Sequence, residues 1–338
     1  MSTSSSPPNP NPKPALEGAP QRPKPHARPP PLIATLYQAA LAGTKPPPAT
    51  DTYKYQYSLD ANTLRAESRR LLSEQPPTTQ DRFICYLLNG TDALSNIGRY
   101  CERESFEEKF RLDDALMHKM YGAHEEASIF FLAMDQQAAA PAGVIRIIRH
   151  SRAGLLTLND CHEMLGVTQQ QFQAHHSVRG LDDVWDIGSV VVRKRYRSAD
   201  RNLASNLLFR AMHARAGHEG IAHYVGTVDR DIRRMIQLVG FWGGTICDTG
   251  PVSHSGSDDS LFSYGHWETI NANVKKRVGE VTAEVRPVVE MFARRCIDGE
   301  DMDHRLMFDI SKAPTTALKK QVILASQVSP LMKIWLTR

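Results

Sequence analysis

No run of about eighteen apolar residues occurs in this 338-residue chain, so the sequence offers no helix able to span a bilayer. The first residues also lack the apolar stretch of a secretory signal. Cysteine is scarce: Cys85, Cys101, Cys161, Cys247 and Cys296 are scattered, odd in number and never at CxxC spacing. That spacing argues against both a disulfide framework and a zinc site, and the expected location is a reducing cytoplasm. Charge of one sign is short as well, because 41 Lys and Arg against 37 Asp and Glu leave a net charge of only +4. A general nucleic-acid binder needs more. Only Tyr196 interleaves with the densest basic cluster, so base stacking on a charged strip is not supported either.

What is present is ordinary for a chain that buries one good core: 41% hydrophobic and 23% charged residues. Fourteen of the 21 prolines fall in the first 50 residues. Such a composition buries too little apolar surface to offset its ordering entropy, so residues 1–51 read as a disordered Pro-rich arm. Within it, Arg28-Pro29-Pro30-Pro31 would suit a polyproline-binding partner, although a linker or solubilising role is the commoner use. Short helices are expected at residues 32–42 and 61–72, the second in a helical lead-in over residues 52–81.

From residue 82 the texture becomes α/β. Phe83-Ile84-Cys85-Tyr86-Leu87-Leu88 is a buried strand closed by Asn89-Gly90. Helices follow at 92–110 and 113–121, then two strands at 128–134 and 142–149, paired as a hairpin, and a mostly helical connection over residues 158–174. Trp185-Asp186-Ile187-Gly188-Ser189-Val190-Val191-Val192 is the strongest strand, rich in β-branched residues and ending in a basic turn. The helix after it has Leu203, Leu207, Leu208, Ala211 and Met212 on one face. A strand at 222–228, a helix at 230–239 and strands at 242–247 and 261–267 complete an α/β (α+β mixed) domain over residues 82–270. Residues 271–338 form a helical C-terminal extension that Pro287 kinks or divides, with a last apolar segment at 318–336.

The unit of strand, basic turn and amphipathic helix, followed by strand, helix and Gly240-Phe241, resembles the GNAT acyltransferase superfamily. That resemblance implies a central mixed sheet flanked by helices, with an acyl-CoA cosubstrate, acetyl-CoA foremost. Its pyrophosphate would lie on the loop of pattern Arg/Gln-x-x-Gly-x-Gly/Ala that opens the helix, where orphan N–H groups and the macrodipole favour anions. In this chain the loop reads Ala199-Asp200-Arg201-Asn202-Leu203-Ala204. Asn202 takes the first glycine place, and Asn tolerates positive φ better than most residues; Ala204 takes the second. The implied cofactor-binding residues are Val191, Val192, Arg193, Arg197, Arg201, Asn202, Leu203 and Ala204. The bland alternative is a solvated charge run at a strand end. Residues 106–114 and the strand Trp185–Val192 further resemble the branch of acyl-homoserine-lactone and N-acyl amino acid synthases, in which an acyl carrier protein can be the donor. Asp186 stands where that branch has Glu, and Ser189 where it has Arg.

The catalytic candidates are Asp186 and Tyr224; on the strand Asp186 reads equally as a general base or as a structural carboxylate bonded to a backbone amide. Asp183, His176, Asp229 and His266 are weaker candidates at strand or loop ends. At the place where many family members carry a Tyr that protonates the departing thiolate, this chain has Ile236, so the thiolate would leave unaided. Cys247 has no local activating group and reads as a bystander. The expected activity is N-acyl transfer to the amine of a small molecule or peptide. The rivals are an enzyme like the N-acyl amino acid synthases, fed by acyl carrier protein, and a catalytically silent module that binds a partner through its arm or C-terminal helices. Replacing Arg197 and Arg201 together by Glu should abolish retention on immobilised coenzyme A; unchanged retention would overturn the phosphate-loop assignment.

Overall fold

The structure is a computed structural model that describes residues 54–197 and 202–310. The Pro-rich arm, the expected helix at 32–42, the loop residues 198–201 with Arg201, and the apolar segment at 318–336 lie outside the described residues. Among the described residues no helix is long and apolar enough to cross a membrane.

Helix α1 (Ala61–Glu74) starts where Asp60 accepts hydrogen bonds from the backbone N–H groups of Asn62 and Thr63, satisfying two orphan donors. Strand β1 (Phe83–Asn89) leads through a short 3-10 turn into α2 (Asn96–Phe110). The Asp113 carboxylate caps α3 (Asp114–Tyr121) by accepting from Leu116 N–H. The hairpin β2 (Ser128–Asp135) and β3 (Ala140–Arg149) is as expected, with slightly longer strands. The helical connection is two helices, α4 (Leu156–Leu165) and α5 (Gln169–His176), separated by Gly166 at φ 72° and a capping box at Thr168. Then come β4 (Val184–Val192), α6 (Leu203–Glu219), β5 (His223–Asp229) and α7 (Arg230–Leu238).

Beyond α7 the expectations need correction. The strand expected at 242–247 is only β6 (Gly244–Thr245), because the chain turns at once through Cys247 and Asp248, both at positive φ. A strand not anticipated, β7 (Val252–His254), pairs through a Ser255-Gly256 turn with β8 (Ser257–His266). At Pro287 the helical stretch is divided, not kinked. The proline sits in the first turn of α9 (Arg286–Phe292), after α8 (Trp267–Glu280) has already ended, a place where proline's missing N–H costs nothing.

The eight strands form one mixed sheet in the order β1-β2-β3-β4-β5-β8-β6, with β7 also on β8. Its only parallel pair among the described residues is β4–β5, and α6 is the crossover between them. On one face, Trp185, Leu207, Leu208, Met212, Tyr224, Phe241 and Trp267 pack into a core around α6. On the other, α1 and α2 cover the start of the sheet, and α4 and α5 cover Val184, Val225 and Phe262. The exposed edge of β1 is partly closed by the returning chain, where Met307 N–H donates to Cys85 C=O at 2.8 Å.

One arginine, Arg146, stands alone in the apolar run of β3 and is fully buried. Its guanidinium pairs with Glu102 of α2 at 2.6 Å and lies 3.3 Å from Glu125, while Tyr57 OH accepts from its Nη2 at 3.0 Å. Glu125 also holds Arg99 at 2.6 Å. Residues 54–59 are thereby tied into the domain. Removing one member of a buried set of charges leaves the others unpaired, so Arg146→Met is expected to cost roughly 3–5 kcal/mol of stability in urea unfolding. A loss below about 1 kcal/mol would mean that the set does not hold these segments together.

Candidate active site

The site is made by a disagreement between neighbouring strands. β4 and β5 are paired from Val184 to Ile187 and from His223 to Gly226, and no further. From Ser189 onward β4 stays with β3, whereas Thr227 to Asp229 of β5 stay with β8. Among the described residues the facing backbone edges beyond Ile187 and Gly226 therefore have no strand partner. The four residues Ser189 to Val192 extend this opening over roughly 13 Å.

A local irregularity turns the strand at the split. In the β3–β4 register Ile147 pairs with Ile187 and Arg146 with Ser189, so Gly188 is an extra, unpaired residue, a bulge that bends its strand. Its carbonyl accepts from Tyr121 OH at 2.8 Å. A side chain at this position would crowd Arg146, Ile148 and Tyr121.

The turn at the end of β4 was expected to offer several cations to a pyrophosphate. Arg193 is instead committed to Glu104, with Nε and Nη2 donating at 2.6 and 2.8 Å. Arg197 is half exposed and gives its Nε to Val192 C=O at 3.0 Å. Asn202 adopts φ 60°, ψ 29°, the left-handed conformation that the glycine place demands, and no described side chain caps the first turn of α6. Leu203 opens that helix, and Ala204 is buried against the sheet. Val191 faces the α2 side and Val192 the α6 side.

Asp186 is fully buried, and both of its oxygens are engaged by Thr157 in the first turn of α4, accepting from its N–H at 2.6 Å and its Oγ1 at 2.7 Å. Burial pushes its carboxyl up to about 7, against the pull of those two bonds. Tyr224 lies on the opposite face, stacked on Phe241 at 5.7 Å between ring centres. Its ring fills the space over Gly265, where a Cβ would stand 2.3 Å from Cζ. The two catalytic candidates are thus on different sides of the sheet. Asp183 lies in the 3-10 turn just before β4. Asp229 caps α7 and bonds Lys109 at 2.6 Å, a bridge from the end of α2 to the end of β5. His176 stacks on Tyr264 and accepts Cys247 N–H at 3.0 Å; His266 neighbours His223 at the other end of β5.

Sequence reasoning passed over Thr157, Asp160 and His254. Asp160, one turn after Thr157 on α4, accepts from His254 of β7 at 2.8 Å. The two are 94 residues apart and share no local motif. An arginine inside an apolar strand was the available signal for the Arg146 cluster, because such a charge requires buried carboxylates.

No protein-family model matches the chain, and no curated protein matches it. Among solved structures it is similar to FeeM, an N-acyl amino acid synthase from uncultured soil microbes, at 14% identity over 58% of this chain and 96% of that one, TM-score 0.43. It is also similar to BjaI, a CoA-dependent acyl-homoserine lactone synthase with SAM and isopentyl-CoA, at 11% identity over 72% and 99% of the two chains, TM-score 0.38. A third, the CoA-dependent acyl-homoserine lactone synthase MesI, shares 12% identity over 62% and 94%, TM-score 0.34. At these values the likenesses carry no argument about activity. The strand order, the single parallel pair among the described residues and the crossover helix make the architecture GNAT-like.

The buried titrating groups give the fold a pH signature. Burial lowers His176, His213 and His223 each to about 4. Below about pH 6.5 the unfolded chain protonates these rings while the folded chain does not, so stability is lost as pH falls toward 4. Asp186 acts oppositely: it stays protonated in the fold up to about pH 7 but ionises above 3.8 when unfolded, so its contribution is lost as pH rises. Three groups against one leave a net gain in stability with rising pH. Asp186→Asn removes the opposing contribution and should steepen the rise of the urea midpoint between about pH 4.5 and 6.5. An equal or shallower slope would show that Asp186 is ionised in the folded protein.

Proposed function

We propose that this chain is an N-acyltransferase that moves an acyl group from acyl-CoA, acetyl-CoA foremost, to the amine of a small molecule or peptide. The observation that carries the reading is the parting of β4 from β5 beside a helix N-terminus. Two unpaired strand edges can hold an extended amide-containing arm by backbone hydrogen bonds, as an added strand would be held. Beyond the end of β4 the first turn of α6, which no described side chain caps, with Asn202 in the left-handed region, suits the pyrophosphate at the other end of that arm, and Arg197 lies in the turn that follows β4. Arg201 belongs to the same segment. Arg193 braces the turn through Glu104 and is not needed for the phosphates.

In this reading the amine attacks the thioester carbonyl directly. Backbone N–H groups at the bulge stabilise the oxyanion, and positioning supplies much of the rate. Ile236 is buried in α7, and the thiolate leaves without a tyrosine acid. Asp186 contributes by fixing α4 beside the opening through Thr157. A donor carried on acyl carrier protein is a second reading, favoured by the outward Lys194, whose side chain is 80% exposed next to Arg197 and would face an acidic surface. Free thiol release from acyl-CoA should rise when pooled amines are added. A silent binding module would retain coenzyme A or a partner and release no thiol with any amine.

A further inference from the structure

His254 and Asp160 form a pair on the α4 face of the sheet, opposite Tyr224, with His254 on β7, across β8 from β5. Both are partly open, with side chains 16% and 24% exposed. The His254 ring packs on Phe262 at 5.8 Å. Phe262 is the cross-strand partner of Thr227, the first residue of β5 beyond the split. Asp160 is placed by the same helix that Asp186 anchors, because Thr157 and Asp160 are one turn apart and share a face of α4. One side chain, Phe262, thus separates the imidazole from the strand position at which β5 leaves β4.

We infer that His254 is the general base of the acyl transfer, with Asp160 as its positioning residue; the inference rests on the function proposed above. Asp160 Oδ2 accepts from Nε2–H, which leaves the Nδ1 lone pair to take a proton. The acceptor arrives as an ammonium ion, and Nδ1 removes one proton. The free amine then attacks the thioester carbon, the N–C bond forms and the π pair moves to oxygen. Collapse breaks the C–S bond; the second amine proton passes to the thiolate, giving amide and free thiol, and imidazolium returns its proton to water. The other titratable groups near the pair are Asp186, Cys161 and His124, each of which feels the charge of Asp160, and Asp258, which bonds Ser253 beside His254. A purely structural role, pinning the β7–β8 turn to α4, would need the same hydrogen bond but no proton transfer.

The two roles separate on acceptor basicity. With acetyl-CoA as donor, thiol release is measured with primary alkyl amines, protonated at neutral pH, and with hydroxylamine, which is not. His254→Gln should lower amine-dependent release by about 10²-fold or more and hydroxylamine-dependent release by less than about threefold, with coenzyme A retention and the circular dichroism spectrum unchanged. Asp160→Asn should lower amine-dependent release less and shift the apparent pKa of its pH profile downward. Equal loss with both acceptors, or no loss, overturns the base assignment while leaving acyl transfer standing. If the unaltered protein transfers to neither acceptor, the acyltransfer reading itself fails.

Discussion

Two guanidinium and two carboxylate groups without solvent contact are the constraint on which the described domain depends. Burial opposes ionisation of Glu125, but the Arg146 and Arg99 guanidinium groups outweigh it and hold the carboxyl below its usual range. Each charge is tolerable only because the others are in place. They come from α2, from the turn before β2 and from β3, and Tyr57 and Ser189 complete the set from the N-terminal segment and from β4 through hydrogen bonds to Glu125 and Glu102. A cluster of this kind adds little net stability over an apolar core, yet it punishes every arrangement that separates its members. Its effect is to fix where α2 and residues 54–59 sit relative to the bulge in β4.

That placement bears on the opening. Arg146 pairs across the sheet with Ser189, the residue after the bulge, so the network ends where β4 turns away from β5. Asp186, just before the bulge, is held by Thr157 on the same face. The strand is thus gripped on both sides of Gly188 by polar contacts that α2 and α4 supply. Lys109 reaches across to Asp229 and ties the end of α2 to the departing strand. The split is a built feature with identifiable supports on each side.

Much of the fold was legible because hydrophobic period and capping residues act locally. The strand Phe83–Asn89, the hairpin of β2 and β3, the strand β4 and the helix α6 follow from apolar runs and from turn residues within a few positions. β6 and β7 were misread because they are two and three residues long and owe their existence to pairing with β8 rather than to their own composition. In the same way, Asn202 was readable as a left-handed residue from its chemistry alone. The commitment of Arg193 to Glu104, 89 residues away, was not, and neither was the meeting of His254 with Asp160. Side-chain pairing across the chain leaves no periodic trace, so basic residues in a turn read as available until the fold shows what has claimed them.

The two faces of the sheet at the split differ in kind, and for the proposed transfer this bears on where the chemistry would take place. On the α6 side Trp185, Tyr224, Phe241 and Trp267 form a packed aromatic layer, and the ring of Tyr224 leaves no room even for a Cβ at Gly265. Burial drives the Tyr224 hydroxyl far above its ordinary range, so a proton is hard to remove from it. On the α4 side lie Ser189, Thr157, Asp160 and His254, with polar atoms already oriented by their partners. An ammonium ion losing its proton needs an acceptor of suitable basicity and a path for that proton to water. Among the described residues the second face supplies both, so in the proposed transfer an acceptor amine would approach from the side of α4, with the dry aromatic layer backing the thioester.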